Sequence, residues 1–509
     1  MKIKNILIFG SLLVGALNVT SCDDKLSALP TQSKVEGNLI VDQSSAETAL
    51  NGIYYMYAEC GTDYYDVLST QCTMTQEIYP ANMAGVIEYY QGPYMLEFHG
   101  PGNYDTNPTF PAYSTNNKLW QLLYSQLTTA NGVITQMEKA PDSWFVDKRK
   151  TEILGEARFM RALIYYQLLR YFGYYWDIDS PYGILLRTEP SQASSLAIER
   201  SSVKDTYTAI LSDLDYAIIN IKAENPNHYA NLWIAKGQKV RVLMMRGQGE
   251  DYTEAANIAK DIIDNGPYEL EANVIDIFHT LGLKSQEVMF GIQPKSNQTD
   301  VINAYYYRNS AQYFPTSNFY ALFDNDPRKE QLFLEGKPYE FYGQMITPIT
   351  LCKHYAPNNI APGDITESQY QMRLTEIYLL RAEALARTNN IPEAKKLLRT
   401  VMEHANITDF TALDAVNDEH SFMEVYFKEY LKNLFCESGR ELELMIRMPK
   451  DIVYAFNPQY YNIVTDEKGD FVAIGEDAFG YSIFALPTDE FRYNSKLKKE
   501  DQNPGYTVY

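Results

Sequence analysis

The sequence has few of the residue patterns that carry chemistry. Its five cysteines are Cys22, Cys60, Cys72, Cys352 and Cys436, and no two form a CxxC pair. Its six histidines are scattered, with no HExxH motif and no pair at i, i+4. A zinc centre with the usual ligand spacings is therefore not expected. There is no P-loop, no GxGxxG behind a strand and no GxSxG elbow. Phosphate cradles, dinucleotide sites and hydrolase nucleophiles thus have no support, and no cofactor or catalytic residue is expected. Positive charge is also in the minority, with 44 Lys and Arg against 65 Asp and Glu and a formal net charge of −21. Nucleic acid and anionic lipid both attract basic patches, so this balance argues against either as an electrostatic partner. Beyond the first residues no run of about 18 apolar residues occurs, so no membrane-spanning helix is expected.

What is present is a large hydrophobic complement, 45% of 509 residues, enough for a sizeable core without disulfide or metal. Tyrosine is the outlier, at 42 residues against 22 Phe and 4 Trp. Its flat apolar ring with a polar handle suits half-wet binding surfaces. The N-terminus carries Lys2 and Lys4, then an apolar stretch from Ile6 to Leu17, then Val19-Thr20-Ser21-Cys22. The stretch is the length of a signal-peptide core and too short to span a bilayer. Small residues directly before Cys22 resemble a bacterial lipobox, which implies a signal peptide over 1–21 and a lipid on the Cys22 thiol. Lipid chains there would tie the chain to a membrane without spanning it. Residues 22–44 begin with acidic Asp23-Asp24 and continue polar, as a flexible tether. Cys60 and Cys72 lie 12 residues apart; a disulfide or free thiols would both fit.

Apolar spacing of i, i+3, i+4 predicts helices over 45–59, 114–139, 147–172, 203–221, 229–246, 252–265, 370–388, 391–405 and 421–446. Ser44 or Ser45 is the expected cap of the first, and Gly173 the C′ glycine of the third. Three adjacent pairs read as antiparallel hairpins: 114–139 with 147–172, 203–221 with 229–246, and 370–388 with 391–405. Their length and pairing suggest tetratricopeptide-like repeats, although only Gly237 and Ala255-Ala256 echo that consensus. The predicted fold is mostly α, a right-handed superhelical scaffold of helix pairs over about 45–59, 114–265 and 370–447. Irregular excursions interrupt it at about 60–113, 270–369 and 451–509. Short strand-like stretches are expected at Phe471-Val472-Ala473-Ile474 and Ile483-Phe484-Ala485-Leu486.

The run Glu156-Ala157-Arg158-Phe159-Met160-Arg161-Ala162, continuing through Tyr165 and Leu168 to Phe172-Gly173, resembles the signature helix of the SusD/RagB family. Further pieces follow in that family's order. They are Trp120, Tyr124 and Asn131; Pro181-Tyr182-Gly183; Tyr207 and Asp213; Asp326-Pro327-Arg328; and Arg373-Leu374-Thr375-Glu376, continuing to Arg381-Ala382-Glu383-Ala384. Glu437-Ser438-Gly439-Arg440, Leu486-Pro487-Thr488-Asp489-Glu490 and Gln502-Asn503-Pro504-Gly505-Tyr506 complete the series. The resemblance covers about residues 45–509. It implies a non-catalytic, cell-surface lipoprotein of the outer membrane that binds nutrient, usually glycan, as a lid on a SusC-like TonB-dependent transporter.

The motif residues themselves read as structural. Arg158, Arg161, Arg381 and Glu383 alternate with apolar residues and predict ion pairs between neighbouring helices. Trp120 lies on an apolar stripe and predicts core. Asp324-Asn325-Asp326 lacks the glycine and distal Glu of a calcium loop and predicts a turn.

Sugar recognition requires aromatic faces for the C–H face of a ring and amides or charged groups for its hydroxyls. Two irregular segments carry that mixture. The first holds Tyr89, Tyr90, Tyr94, Asn103 and Tyr104; the second holds Tyr305, Tyr306, Tyr307 and Arg308. A third cluster, Tyr454, Tyr460 and Tyr461, is a lesser candidate. The family's ligand contacts come from comparable regions, with no residue motif that defines them. A peptide in the same lid role is the alternative ligand. A glycoside hydrolase would need a carboxylate pair in a cleft, which no motif supports.

Overall fold

The computed structural model describes residues 39–58, 79–89, 115–190, 196–292, 313–341, 344–354, 368–457, 464–465, 471–472 and 483–504. Helices dominate. The principal ones are α1 (Gln43–Ala58), the short α2 (Tyr79–Met83), α3 (Thr115–Lys139), α4 (Arg149–Phe172), α5 (Val203–Asn220), α6 (Leu232–Arg246) and α7 (Asp251–Asn265). They continue with α8 (Ser317–Ala321), α9 (Leu374–Arg387), α10 (Ile391–His404), α11 (Glu419–Leu434), α12 (Arg440–Arg447) and α13 (Lys450–Phe456). Consecutive helices pack as a stack, α3 on α4, α4 on α5, α5 on α6, α6 on α7, α7 on α9 and α9 on α10. The three predicted hairpins are all present. No helix among the described residues is long and apolar enough to cross a membrane.

The signature helix α4 lies at the centre, with nearly every residue from Glu152 to Phe172 buried. A helix buried on all sides must neutralise whatever charge it carries. Arg161 reaches α5, where its Nε and Nη2 donate to Asp213 at 2.7 and 2.8 Å, and α3, where Nη1 donates to Asn131 at 3.0 Å. Arg170 pairs with Glu443 of α12 at 2.7 Å. Glu156 accepts from Tyr54 of α1 and from Arg149. The polar positions of the motif therefore bolt α4 to four other helices, α1, α3, α5 and α12. Arg158 pairs with Glu138 and Glu383 with both Arg387 and Arg447, as expected. Arg381 makes no ion pair among the described residues, contrary to expectation, and its Nε has no hydrogen-bond partner among them.

Several expectations need correction. The cap of α1 is Asp42, whose Oδ1 accepts from Ser45 N while Ser45 Oγ accepts from Asp42 N, a reciprocal capping box. Gly173 is not left-handed; its φ is −125°, and a Cβ there would stand 3.0 Å from the Tyr182 carbonyl oxygen. It is glycine because two chain segments touch. The predicted helix 370–388 begins later, since Gln369–Arg373 forms a strand. The predicted helix 421–446 is two, α11 and α12, broken where Cys436, Ser438 and Gly439 all take positive φ. Residues 483–486 are buried but form no ladder, with Phe484 N donating to Tyr171 O instead. Phe471–Val472 is a strand as expected, paired with Val464–Thr465. Trp120 is core, its ring edge-on to Phe172 and its Nε1 donating to Glu490.

The strands are short and all antiparallel. Besides the Val464–Thr465 and Phe471–Val472 pair, they are β1 (Ile87–Tyr89), β2 (Val288–Ile292), β3 (Tyr313–Pro315), β4 (Phe333–Glu335), β5 (Tyr339–Phe341), β6 (Gln344–Ile346), β7 (Ile349–Leu351) and β8 (Gln369–Arg373). β2 pairs with β8 in the core, β4 with β7 and β5 with β6 as a nested hairpin, and β1 with β3.

Candidate functional site

The β1–β3 ladder is where the excursions meet. Its register pairs Ile87 with Pro315, Glu88 with Phe314 and Tyr89 with Tyr313. Because the strands run antiparallel, residues 90–114 leave and residues 293–312 arrive at the same end, beside Tyr89 and Tyr313. These are the two segments that hold the candidate ligand residues. They are about two hundred residues apart in sequence, and one hydrogen-bonded ladder joins their roots.

Local chemistry fixes the ladder. After α2 the chain turns at Gly85, whose φ of +76° disfavours any residue with a Cβ. Asn82 Nδ2 donates to Ile87 O across that turn. Thr316 then does three things: its N–H donates to Val86 O, its hydroxyl donates to Gly85 O, and the same oxygen accepts from Phe319 N to cap α8. The third excursion joins here as well. Asn318 Nδ2 donates to Phe456 O at the end of α13, and the Asn457 side chain lies against Gly85. Tyr454, on α13, is 51% exposed. Glu88 lies opposite Phe314, and partial burial raises its carboxyl above the usual range.

Beneath this node lies a buried ionic layer. α12 packs directly on α2. Its preceding turn is held by Glu437, which receives Lys353 at 2.5 Å and Arg373 at 2.7 Å, while Arg373 also reaches Glu287 at 2.5 Å. Burial lowers the Lys353 ammonium pKa, and Arg373 beside Glu437 holds that carboxyl below its ordinary value despite its burial. Glu441 differs. Its Oε1 accepts from Cys436 N, its Oε2 has no partner among the described residues, and burial pushes its carboxyl up to about 7. Cys352 and Cys436 are buried and neither forms a disulfide among the described residues.

Of the predicted ligand residues, Tyr89 is the last residue of β1. Tyr90, Tyr94, Asn103, Tyr104, Tyr305, Tyr306, Tyr307 and Arg308 lie outside the described residues, as do Cys22, Cys60 and Cys72. Sequence reasoning missed the clamp at the far end of α4. Arg200, half-buried, donates to the carbonyls of Phe172, Gly183 and Asp501 and to Asn503 Oδ1. Asn503 Nδ2 donates in turn to Phe172 O and Phe484 O, and Gln502 makes a two-way bond with the Leu486 backbone. The terminal Gln-Asn-Pro run is a clasp as well as a turn.

Two family models match the chain. One, described as SusD-like and as starch-binding associating with outer membrane, spans residues 56–237. The other, described as the SusD family, spans 340–506. The flanks of the middle excursion thus match the same family. The chain belongs to the SusD/RagB family. A SusD-like protein of Bacteroides ovatus is 24% identical over 337 residues, covering 58% of this chain and 60% of that protein. A SusD-like protein of Formosa agariphila is 22% identical over 307 residues, covering 57% and 52%. The chain therefore matches less than two thirds of either relative's length. Among solved structures, a SusD superfamily protein of Bacteroides thetaiotaomicron superposes with a TM-score of 0.69 at 22% identity, covering 91% of this chain and 100% of that one. A putative sugar-binding protein of Bacteroides vulgatus gives 0.66 at 20% identity, covering 92% and 100%. At such identities the likeness is one of fold. The helical-repeat scaffold is the SusD fold.

Proposed function

We propose that this SusD-family chain is a non-catalytic glycan-binding lipoprotein of the outer membrane, anchored through Cys22. It delivers oligo- or polysaccharide to a SusC-like TonB-dependent transporter. The observation that carries the reading is the shared root of the two segments rich in Tyr, Asn and Arg. A glycan site needs several ring faces and hydroxyl partners in one place, and the Tyr89–Tyr313 pairing provides a common base for them. Family membership supports the ligand class, and so does the sugar-binding description of the Bacteroides vulgatus neighbour. A shallow site leaves much of its ligand wet, so isolated protein is expected to bind weakly.

The test is a glycan-array and calorimetric screen of the chain from residue 23, beside Tyr306→Ala, Tyr307→Ala. Polysaccharide binding lost in the double variant upholds the reading. Binding of peptides with no glycan response would replace the ligand class. Co-purification of the lipidated chain with a TonB-dependent barrel protein, absent for Cys22→Ser, tests the anchor and the delivery step together.

A further inference from the structure

A cavity of about 270 Å³ opens on the helical scaffold, between α1, the start of α4 and the loop joining α5 to α6. Its wall includes Glu47, Asn51, Arg149, Glu156, Asn225 and Tyr229. None of these belongs to the β1–β3 node or to the excursions that leave it. The volume falls just below the ~300 Å³ at which ordinary ligand clefts begin. One ring fits, and a chain does not.

The chemistry of the wall narrows the occupant. Arg149 donates through Nε to Glu47 at 3.1 Å and through Nη1 to Glu156 at 3.0 Å and Glu152 at 3.5 Å. Three carboxylates therefore share this guanidinium, and little positive charge is left to attract a phosphate or carboxylate. Hydrogen-bonding capacity nevertheless remains. Glu47 uses Oε1 for both Arg149 and Gln43, and among the described residues Oε2 has no partner. Among the described residues nothing engages Arg149 Nη2 or the Asn51 amide either. The wall thus offers an acceptor, a donor and a group that is both, which is the set a vicinal diol uses. The Tyr229 ring supplies an apolar side and is held edge-on to Tyr54 with centroids 4.9 Å apart. Tyr54 is itself fixed, donating to Glu156 and accepting from Ala230 N. Glu47, Asn51, Arg149 and Tyr229 are half-buried, so a ligand can reach them.

We infer that this cavity is a second, monosaccharide-sized site for a neutral sugar ring, separate from the site at the β1–β3 node. A diol would sit between Glu47 Oε2, Arg149 Nη2 and Asn51, with its C–H face toward Tyr229. The inference draws on the proposed function only for the source of the sugar; the recognition chemistry is the cavity's own.

The test titrates the chain from residue 23 with a panel of neutral methyl hexosides by ligand-observed saturation-transfer NMR. It is run on wild type, Asn51→Phe, Glu47→Gln, and Tyr306→Ala, Tyr307→Ala. Asn51→Phe fills the cavity and should weaken hexoside binding about tenfold, equivalent to ~1.4 kcal/mol. Glu47→Gln keeps the shape and removes the charge on the acceptor, and should weaken binding severalfold. The double tyrosine variant should leave hexoside binding unchanged while losing polysaccharide. Melting temperatures identify any variant that fails to fold, and Glu47→Gln keeps the test open if Asn51→Phe does. No hexoside binding at tens of millimolar overturns the inference. So does binding unaffected by both cavity variants, and so does preference for a zwitterionic amino acid over hexosides. Should polysaccharide binding fail altogether while hexosides still need Asn51, the delivery reading falls and the second site stands.

Discussion

Glu441 is the residue whose behaviour follows most directly from its surroundings. It is fully buried, no cation pairs with it among the described residues, and its carboxyl is raised from 4.5 to about 7. The charged groups it senses are Lys353, which lowers the value, and Glu437, which raises it. The folded state holds this proton more tightly than the unfolded chain does. Glu441 therefore costs stability progressively as pH rises from about 4.5 to 7, and the full cost persists above that range. The shift corresponds to about 3 kcal/mol. Glu441→Gln removes the charge and keeps an acceptor for Cys436 N. Chemical denaturation at pH 8 should find the variant more stable than wild type by one to a few kcal/mol, with the difference shrinking toward pH 5. A constant difference across that range would contradict the assignment. The sequence could show that Arg158, Arg161 and Glu383 needed partners, because charge on an apolar helix face must be neutralised. It could not show that Glu441 lacks one, since its environment is made by the backbone turn at Cys436 and Glu437 and by Lys353 from a distant segment.

At the scale of elements, the 3.6-residue period made the long helices legible, and their hairpin partners followed from short connections. The failures occur where backbone geometry overrides period. The break between α11 and α12 is made by positive φ at Cys436, Ser438 and Gly439, and only the glycine signals it in sequence. The start of α9 was misread because the strand Gln369–Arg373 is buried on both faces and so shows no alternation. Gly85 is the element-scale test of the node. A Cβ at that position would lie 2.4 Å from Asn457 Nδ2, at a φ of +76°. Gly85→Ala should cost about 1–3 kcal/mol. It should also increase hydrogen exchange at the amides of β1 and β3 while those of α4 stay protected. Uniform loss of protection across the molecule would mean that the turn is no local anchor for the ladder.

At the scale of the whole molecule, the scaffold and the site obey different rules. The helix stack is written in local periodicity and in motifs such as Glu156 to Gly173, and most of it could be read from sequence, apart from the start of α9 and the break between α11 and α12. The candidate site depends on which loops meet, and composition named the Tyr-rich segments without saying that they share a root. That fact comes from Tyr89 facing Tyr313 and from Thr316 reaching back to Gly85 and Val86. Charge belongs to this scale too. A net −21 favours solubility, and neutral sugars need no electrostatic steering. Polysaccharide binding should therefore change little between low and moderate salt, in contrast to an anionic ligand.

The most direct test of the account separates the two segments. Tyr90→Ala and Tyr306→Ala are each titrated calorimetrically with the polysaccharide that wild type binds, together with the double variant. Segments joined at one ladder and sharing one ligand predict that each single variant weakens binding about tenfold, as stacking losses of ~1–1.5 kcal/mol would. They also predict a double variant that departs from additivity and melting temperatures that stay at the wild-type value. A single variant that binds as wild type does would show that its segment takes no part, and the convergent site would be wrong.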